Sequence, residues 1–229
     1  KLNNQFLRFL KNVKTKQIIY KNQLIKSFYK IKKLDKEHQD IEFKISMSNE
    51  KILEFSEILH DQKFLFIENF LPEKNHQALI NNWPEKFFFE PMGKIIKEYN
   101  WGFRCKGRLD EIIQKNQDLK KNPIMKKFYS FINSVDFSIF LSNLFKNDGR
   151  EYFLFSILAT TAGQNSFLIP HVDNVQKTEL ENTYNCIYFV DGDDKDLDRA
   201  GATSIYKDNN FKELIFQPTS LKNSLLIYN

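Results

Sequence analysis

At 229 residues with 41% apolar side chains, including 23 Phe, the chain can bury a sizeable core, which excludes disorder throughout. The net charge of +5 is uneven: the first 36 residues carry 11 Lys and Arg against one acid, Asp35, and the remainder is slightly acidic. No run of about 18 apolar residues occurs, so no membrane span is expected, and the first apolar pieces are broken too often by Lys or Arg for a secretory signal.

Cys105 and Cys186 are far apart and form neither a CxxC nor a disulfide framework, which suits a reducing, cytoplasmic setting. The basic leader suggests nucleic acid or anionic lipid, but no RNP, zinc-finger or RGG pattern supports the nucleic-acid reading. The alternative is the solvated face of a surface helix.

Residues 1–33 place Phe6, Leu7, Leu10 and Val13, then Ile18, Ile19, Leu24, Phe28 and Ile31 at helical spacing. One or two amphipathic helices with Lys on the outer face are expected. Residues 34–46 read as a polar linker or short strand. Ser48-Asn49-Glu50 opens a helix with Ile52, Leu53, Phe55 and Leu59 as its buried stripe.

Lys63–Glu68 is a short apolar run that reads as a strand. Pro72 then suits the first turn of a helix ending near Trp83. Residues 108–146 are again helical, in three pieces broken around Lys121-Asn122-Pro123 and Ser134. From Glu151 the period changes, and runs rich in Phe, Ile, Tyr, Val and Thr alternate with Gly, Asn and Asp clusters. These expected strands are 152–161, 166–170, 184–190, 202–206, 211–216 and 223–228.

Helices followed by strands is an α+β order, and the strand region suits a jelly-roll barrel. The expected division is a basic helical extension over 1–60 and a barrel with supporting helices over 61–229. The chain begins at Lys1 rather than Met and stops within an expected strand, so a piece of a longer protein is expected.

His171-Val172-Asp173 carries the chemistry. Residues two apart in extended backbone share a face, so one imidazole and one carboxylate can reach a single ion. With one distant His they would make the facial triad that suits Fe(II) and leaves positions open.

The segment Ala162–Asn174 around these residues resembles the strand, turn and HxD of the prolyl hydroxylase-like Fe(II)- and 2-oxoglutarate-dependent oxygenases. Asn185–Asp191 resembles the strand that follows, Ala200–Tyr206 the family's small-residue GG-x-T strand, and Asn223–Asn229 the strand before its second His. Phe66-Ile67-Glu68-Asn69-Phe70-Leu71-Pro72 is similar to the strand-to-helix start of the domain. Residues 84–150 match none of its motifs.

The resemblance implies a double-stranded β-helix, a cupin-like jelly roll, with His171 and Asp173 as ligands of Fe(II). It implies 2-oxoglutarate as cosubstrate, O2 as oxidant, ascorbate as a candidate auxiliary, and hydroxylation of a small-molecule or peptide substrate with release of succinate and CO2. In that family a second His, then an Arg or Lys for the cosubstrate's far carboxylate, follows the last of these strands; neither is present through Asn229, so either they lie beyond it or the chain is a degenerate relative. His38, His60 and His76 lie in the helical part and are not taken as ligands.

Alternation along 184–190 turns Asn185, Ile187 and Phe189 inward and Cys186 outward as a packing residue. Asn185 and Thr161 are the candidate cosubstrate contacts. The alternative for both is an ordinary strand residue satisfied by its neighbours. Phe189 stands where some members of the family have a tyrosine.

Asp191-Gly-Asp193-Asp194-Lys-Asp196-Leu-Asp198 fails the EF-hand pattern and reads as a solvated loop. Arg104-Cys105-Lys106-Gly107-Arg108 could meet an anionic group, but lacks a P-loop's glycines and reads as a basic loop. No GxSxG elbow supports Ser-His-Asp catalysis. The competing functional class is a non-catalytic jelly-roll binding module, or a domain of a larger protein that docks through its basic N-terminal helices.

Overall fold

A computed structural model of the chain describes residues 40–83, 90–91, 100–101, 104–108, 123–145, 157–162, 167–168, 184–193, 203–208 and 210–228. The expected leader helices lie outside the described residues. Within these residues helices combine with small antiparallel sheets, and no helix is long and apolar enough to cross a membrane.

Helix α1, Asn49–Gln62, starts where the sequence signals it. Ser48 is extended, and its hydroxyl accepts a hydrogen bond from the Lys51 N–H at 3.3 Å, satisfying one of the helix's free donors. The helix ends at Lys63, whose left-handed backbone (φ 67°) lets its N–H reach Leu59 O at 2.9 Å. Strand β1 is therefore Phe64–Ile67, shorter than the expected run.

The buried face of α1 is Ile52, Ser56 and Leu59. Leu53, expected within the stripe, is 61% exposed, because one residue turns the helix about 100° off that face. Ser56 takes its place, with a hydroxyl that finds no hydrogen-bond partner among the described residues.

Residues 41–47 are not a free linker. Ile41 and Phe43 are buried and Ile45 and Met47 half-buried, an alternation that the intervening charges disguise. Two side chains hold this extended backbone: Lys127 Nζ donates to Ile41 O at 2.8 Å, and Asn75 Nδ2 to Glu42 O at 2.6 Å. The Phe43 ring meets Phe128 edge-on at 5.4 Å and stacks on Phe131 at 6.2 Å.

Helix α2 is Glu73–Asn81, with Pro72 (φ −52°) as the residue before its first turn. Helices α3, Pro123–Ile132, and α4, Val135–Leu144, are separated at Ser134, whose hydroxyl accepts from the Phe137 N–H at 3.1 Å. Both breaks expected in this region coincide with helix starts. The expected division at residues 60 and 61 falls inside α1, and Ile41, Ile52 and Leu59 share one core with Leu79, Ile124 and Leu144.

The remaining strands are β2 (Glu90–Pro91), β3 (Asn100–Trp101), β4 (Arg104–Arg108), β5 (Leu158–Ala162), β6 (Phe167–Leu168), β7 (Asn185–Phe189), β8 (Ile205–Tyr206), β9 (Leu214–Phe216) and β10 (Ser224–Tyr228). They pair in the orders β1-β10-β7, β2-β4-β5, β3-β6 and β8-β9, all antiparallel. Residues 104–108, read as a basic loop, are instead the middle strand of their sheet. Their basic–small alternation suits a strand with one wet face.

Strand β10 is the middle strand of the first sheet. Its residues 224–227 are all buried, between β1 on one side and β7 on the other. Leu225 and Ile227 share a face with Leu65, Ile67 and Tyr188, and this face meets the helical core.

Asn223 enters β10 in left-handed backbone (φ 49°), a conformation Asn tolerates better than most residues. Its buried amide brackets the residue before α2's turn: Oδ1 accepts from the Leu71 N–H at 2.9 Å and Nδ2 donates to Leu71 O at 2.7 Å. The same Oδ1 accepts from the Tyr188 hydroxyl at 2.9 Å, and the Asn223 carbonyl from the Phe70 N–H at 2.8 Å.

Asn223→Ala should cost about 3–5 kcal/mol, because three buried polar groups lose partners and alanine tolerates the left-handed backbone less well than asparagine. Asn223→Gly should recover roughly 1 kcal/mol of that by relieving the backbone alone. Urea unfolding of the three proteins tests both; an alanine variant as stable as the parent removes the clamp's importance.

Candidate functional site

The sheet β1-β10-β7 has a second face, turned away from the helical core. Its register places Asn185, Ile187 and Phe189 of β7 beside Tyr228, Leu226 and Ser224 of β10, with Phe64 and Phe66 of β1 beyond. Most of these residues are apolar and half-buried. Phe216 of β9 covers one margin, 4.7 Å from the Phe64 ring and 5.3 Å from Phe66.

Asn185 thus sits on the mainly apolar face, at the register position opposite Tyr228. Cys186 is on the other face, opposite buried Ile227; part of its surface is exposed, yet burial by its surroundings pushes the thiol pKa up to about 12. Strand β7 lies at the edge of its three-stranded sheet, with a strand neighbour on one side only among the described residues.

Thr161 lies in β5, directly opposite Cys105 of β4. It shares the face of Ala159, two residues away and 4% exposed, so its register position is on the inward side of that sheet. Thr161 and Asn185 belong to separate sheets. His171 and Asp173 lie outside the described residues. Among the described residues, no group of three His, Cys, Asp or Glu side chains is gathered to hold a metal.

His76 has a structural place. It is 5% exposed on α2, and its Nε2 lies 2.7 Å from Val190 O, so that nitrogen carries the proton. Its Nδ1 has no hydrogen-bond partner among the described residues and stands 3.9 Å from a Glu73 carboxylate oxygen. The histidine pins the end of β7 to α2. Two residues later, a β-carbon on Gly192 would lie 2.5 Å from Leu221 Cβ, so this exit needs glycine.

A surface groove of about 460 Å³ runs along residues 41–44 and α3, lined by Lys44, Lys126 and Phe131 among others. None of its lining residues comes from β5 or β7, so it is separate from the two polar candidates.

Sequence reasoning missed Tyr188 and Asn223, which fix β7 against the helices. The available signal was Asn223 itself, a turn-tolerant residue just before an apolar run. No protein-family model matches the chain, and neither a characterised protein nor a solved structure matches it.

Burial, and to a smaller extent the Glu73 charge, raises the Tyr188 hydroxyl well above the usual tyrosine range. The folded state therefore holds this proton where the unfolded chain releases it, so the contribution is present below about pH 10 and is lost as pH rises further. Tyr188→Phe should cost about 1 kcal/mol at neutral pH and flatten the loss of stability above about pH 10. Denaturant midpoints measured across pH 7 to 11 would show it; parallel curves would mean that Tyr188 does not set the alkaline limb.

Proposed function

We propose that the protein is an Fe(II)- and 2-oxoglutarate-dependent dioxygenase on a double-stranded β-helix, hydroxylating a small-molecule or peptide substrate in the cytoplasm. The observation that carries this reading is the two-sided sheet β1-β10-β7. One face is sealed by helices, and the other is a mainly apolar surface that includes Asn185. The wall of a jelly roll needs this division between a covered face and a lined interior.

The donor chemistry agrees. An imidazole and a carboxylate two residues apart in the sequence offer nitrogen and oxygen to one ion, a set that suits Fe(II). His171 and Asp173 would hold it, with the second histidine that the resemblance implies. Bound Fe(II) with 2-oxoglutarate supplies O2 activation, with succinate and CO2 as by-products.

The chain's own residues have simpler tasks. Asn185 and Thr161 would hydrogen-bond and orient the cosubstrate, while Ile187, Phe189 and Leu226 exclude water from the reacting centre. The cytoplasmic placement rests on the two widely spaced cysteines. Fold alone does not choose the substrate.

The full-length gene product should release succinate from 2-oxoglutarate only with Fe(II) and O2, and Asp173→Ala should abolish that release. Undiminished turnover in this variant ends the reading. Asn185→Ala should raise the KM for 2-oxoglutarate roughly tenfold, the loss of one hydrogen bond to a charged group. An unchanged KM would return Asn185 to an ordinary strand position.

A further inference from the structure

Arg104, Lys106 and Arg108 alternate along β4, and the pairing with β5 decides which face they occupy. Arg108 stands opposite Leu158 and Lys106 opposite Thr160, whereas Gly107 stands opposite Ala159. Leu158 is 52% exposed and Thr160 is exposed, but Ala159 is 4% exposed. Directly opposed residues of an antiparallel pair lie on the same side of the sheet. The three cationic positions therefore belong to the outward face, and Cys105 and Gly107 to the inward one.

Alternate strand residues are about 6.8 Å apart, so the three positions span roughly 14 Å in line. Glu90 of β2, opposite Lys106, supplies one acidic position on the same face. Residues 37–229 are acidic overall, with 23 Lys and Arg against 28 Asp and Glu. A row of three cations on one strand face is a local reversal of that balance.

We propose that the outward face of β4 is a docking ladder for the phosphodiester backbone of a single-stranded nucleic acid. Such a strand brings one negative charge per nucleotide, at intervals comparable to alternate residues of a β-strand, whatever its base sequence. An acidic peptide matches the ladder only if it places a carboxylate at every second residue. Two of the three positions are Arg, whose forked donors suit phosphate oxygens.

Binding of this kind reads backbone charge and not bases, so it needs none of the RNP, zinc-finger or RGG motifs. Thr161 is at an inward position of the same sheet, opposite Cys105. The ladder is therefore independent of the oxygenase reading.

The test uses the full chain and a fluorescent oligothymidylate of about 20 nucleotides, long enough for a whole site. Affinity is measured by anisotropy over a salt series for the parent, for Arg104→Gln/Lys106→Gln/Arg108→Gln, and for Lys11→Gln/Lys14→Gln/Lys16→Gln. The two triple variants lose the same charge from different places. Three phosphate contacts on a single strand contribute about 2 to the slope of log K against log salt.

The β4 variant should lose that slope. Raising salt from about 50 to 200 mM should then weaken the parent about 20-fold more than the variant. The leader variant should change less than the β4 variant. Arg104→Lys/Arg108→Lys, which keeps the charge, should keep the slope, and unchanged circular dichroism melting of each variant confirms folding.

Absence of parental binding at low salt overturns the proposal, as does an unchanged slope in the β4 variant. Equal losses in both triple variants would reduce the effect to net charge. Binding of polyglutamate but not oligothymidylate through the same three residues would assign the ladder to an acidic protein instead.

Discussion

A single buried amide ties together three parts of the chain that are distant in sequence. Asn223 brackets the backbone of Leu71, accepts the Tyr188 hydroxyl and receives the Phe70 N–H on its carbonyl. Through these bonds the loop before α2, strand β7 and the start of β10 are fixed at once. A buried polar group costs free energy unless all its partners are present, so the clamp closes as a unit or not at all. The register of β10 against β1 and β7 follows from that closure, and with it the assignment of every side chain to one face or the other.

The two faces have different roles. Leu65, Ile67, Leu225, Ile227 and Tyr188 join the aromatic layer of α3 and α4, where Phe70 lies 5.8 Å from Tyr188 and Phe128 5.9 Å from it. The other face carries Asn185 among Ile187, Phe189, Leu226 and the two phenylalanines of β1. His76 and Gly192 hold the exit of β7, so that end of the strand is anchored by residues outside the proposed chemistry.

Much of this was legible where the controlling interactions are local. Ser48 and Ser134 announce the helices they cap, because capping is decided within three residues. The apolar runs ending in β7 and β10 were visible by composition. Segments governed by distant partners were not. The alternation of Ile41, Phe43, Ile45 and Met47 is masked by the charges between them, and its meaning depends on Lys127 and Asn75. Strand β4 has little intrinsic strand preference and exists through pairing with β2 and β5.

The candidate site divides in the same way. Alternation alone grouped Asn185 with Ile187 and Phe189, and the ladder with β10 has that grouping. The partners of Asn223 could not be read, since the residue it brackets lies 152 positions earlier. His171 and Asp173 lie outside the described residues, so their reading rests on motif and donor chemistry.

That separation has a consequence during synthesis. A ribosome adding ~5–20 residues per second needs about 8–30 s to travel from Leu71 to Asn223. Throughout that interval Phe64–Ile67 has neither strand partner nor clamp, and four consecutive apolar residues stand ready to pair with any passing edge. The nascent chain thus carries an unpaired apolar strand until β10 emerges, and that interval is when it is most exposed to wrong pairing.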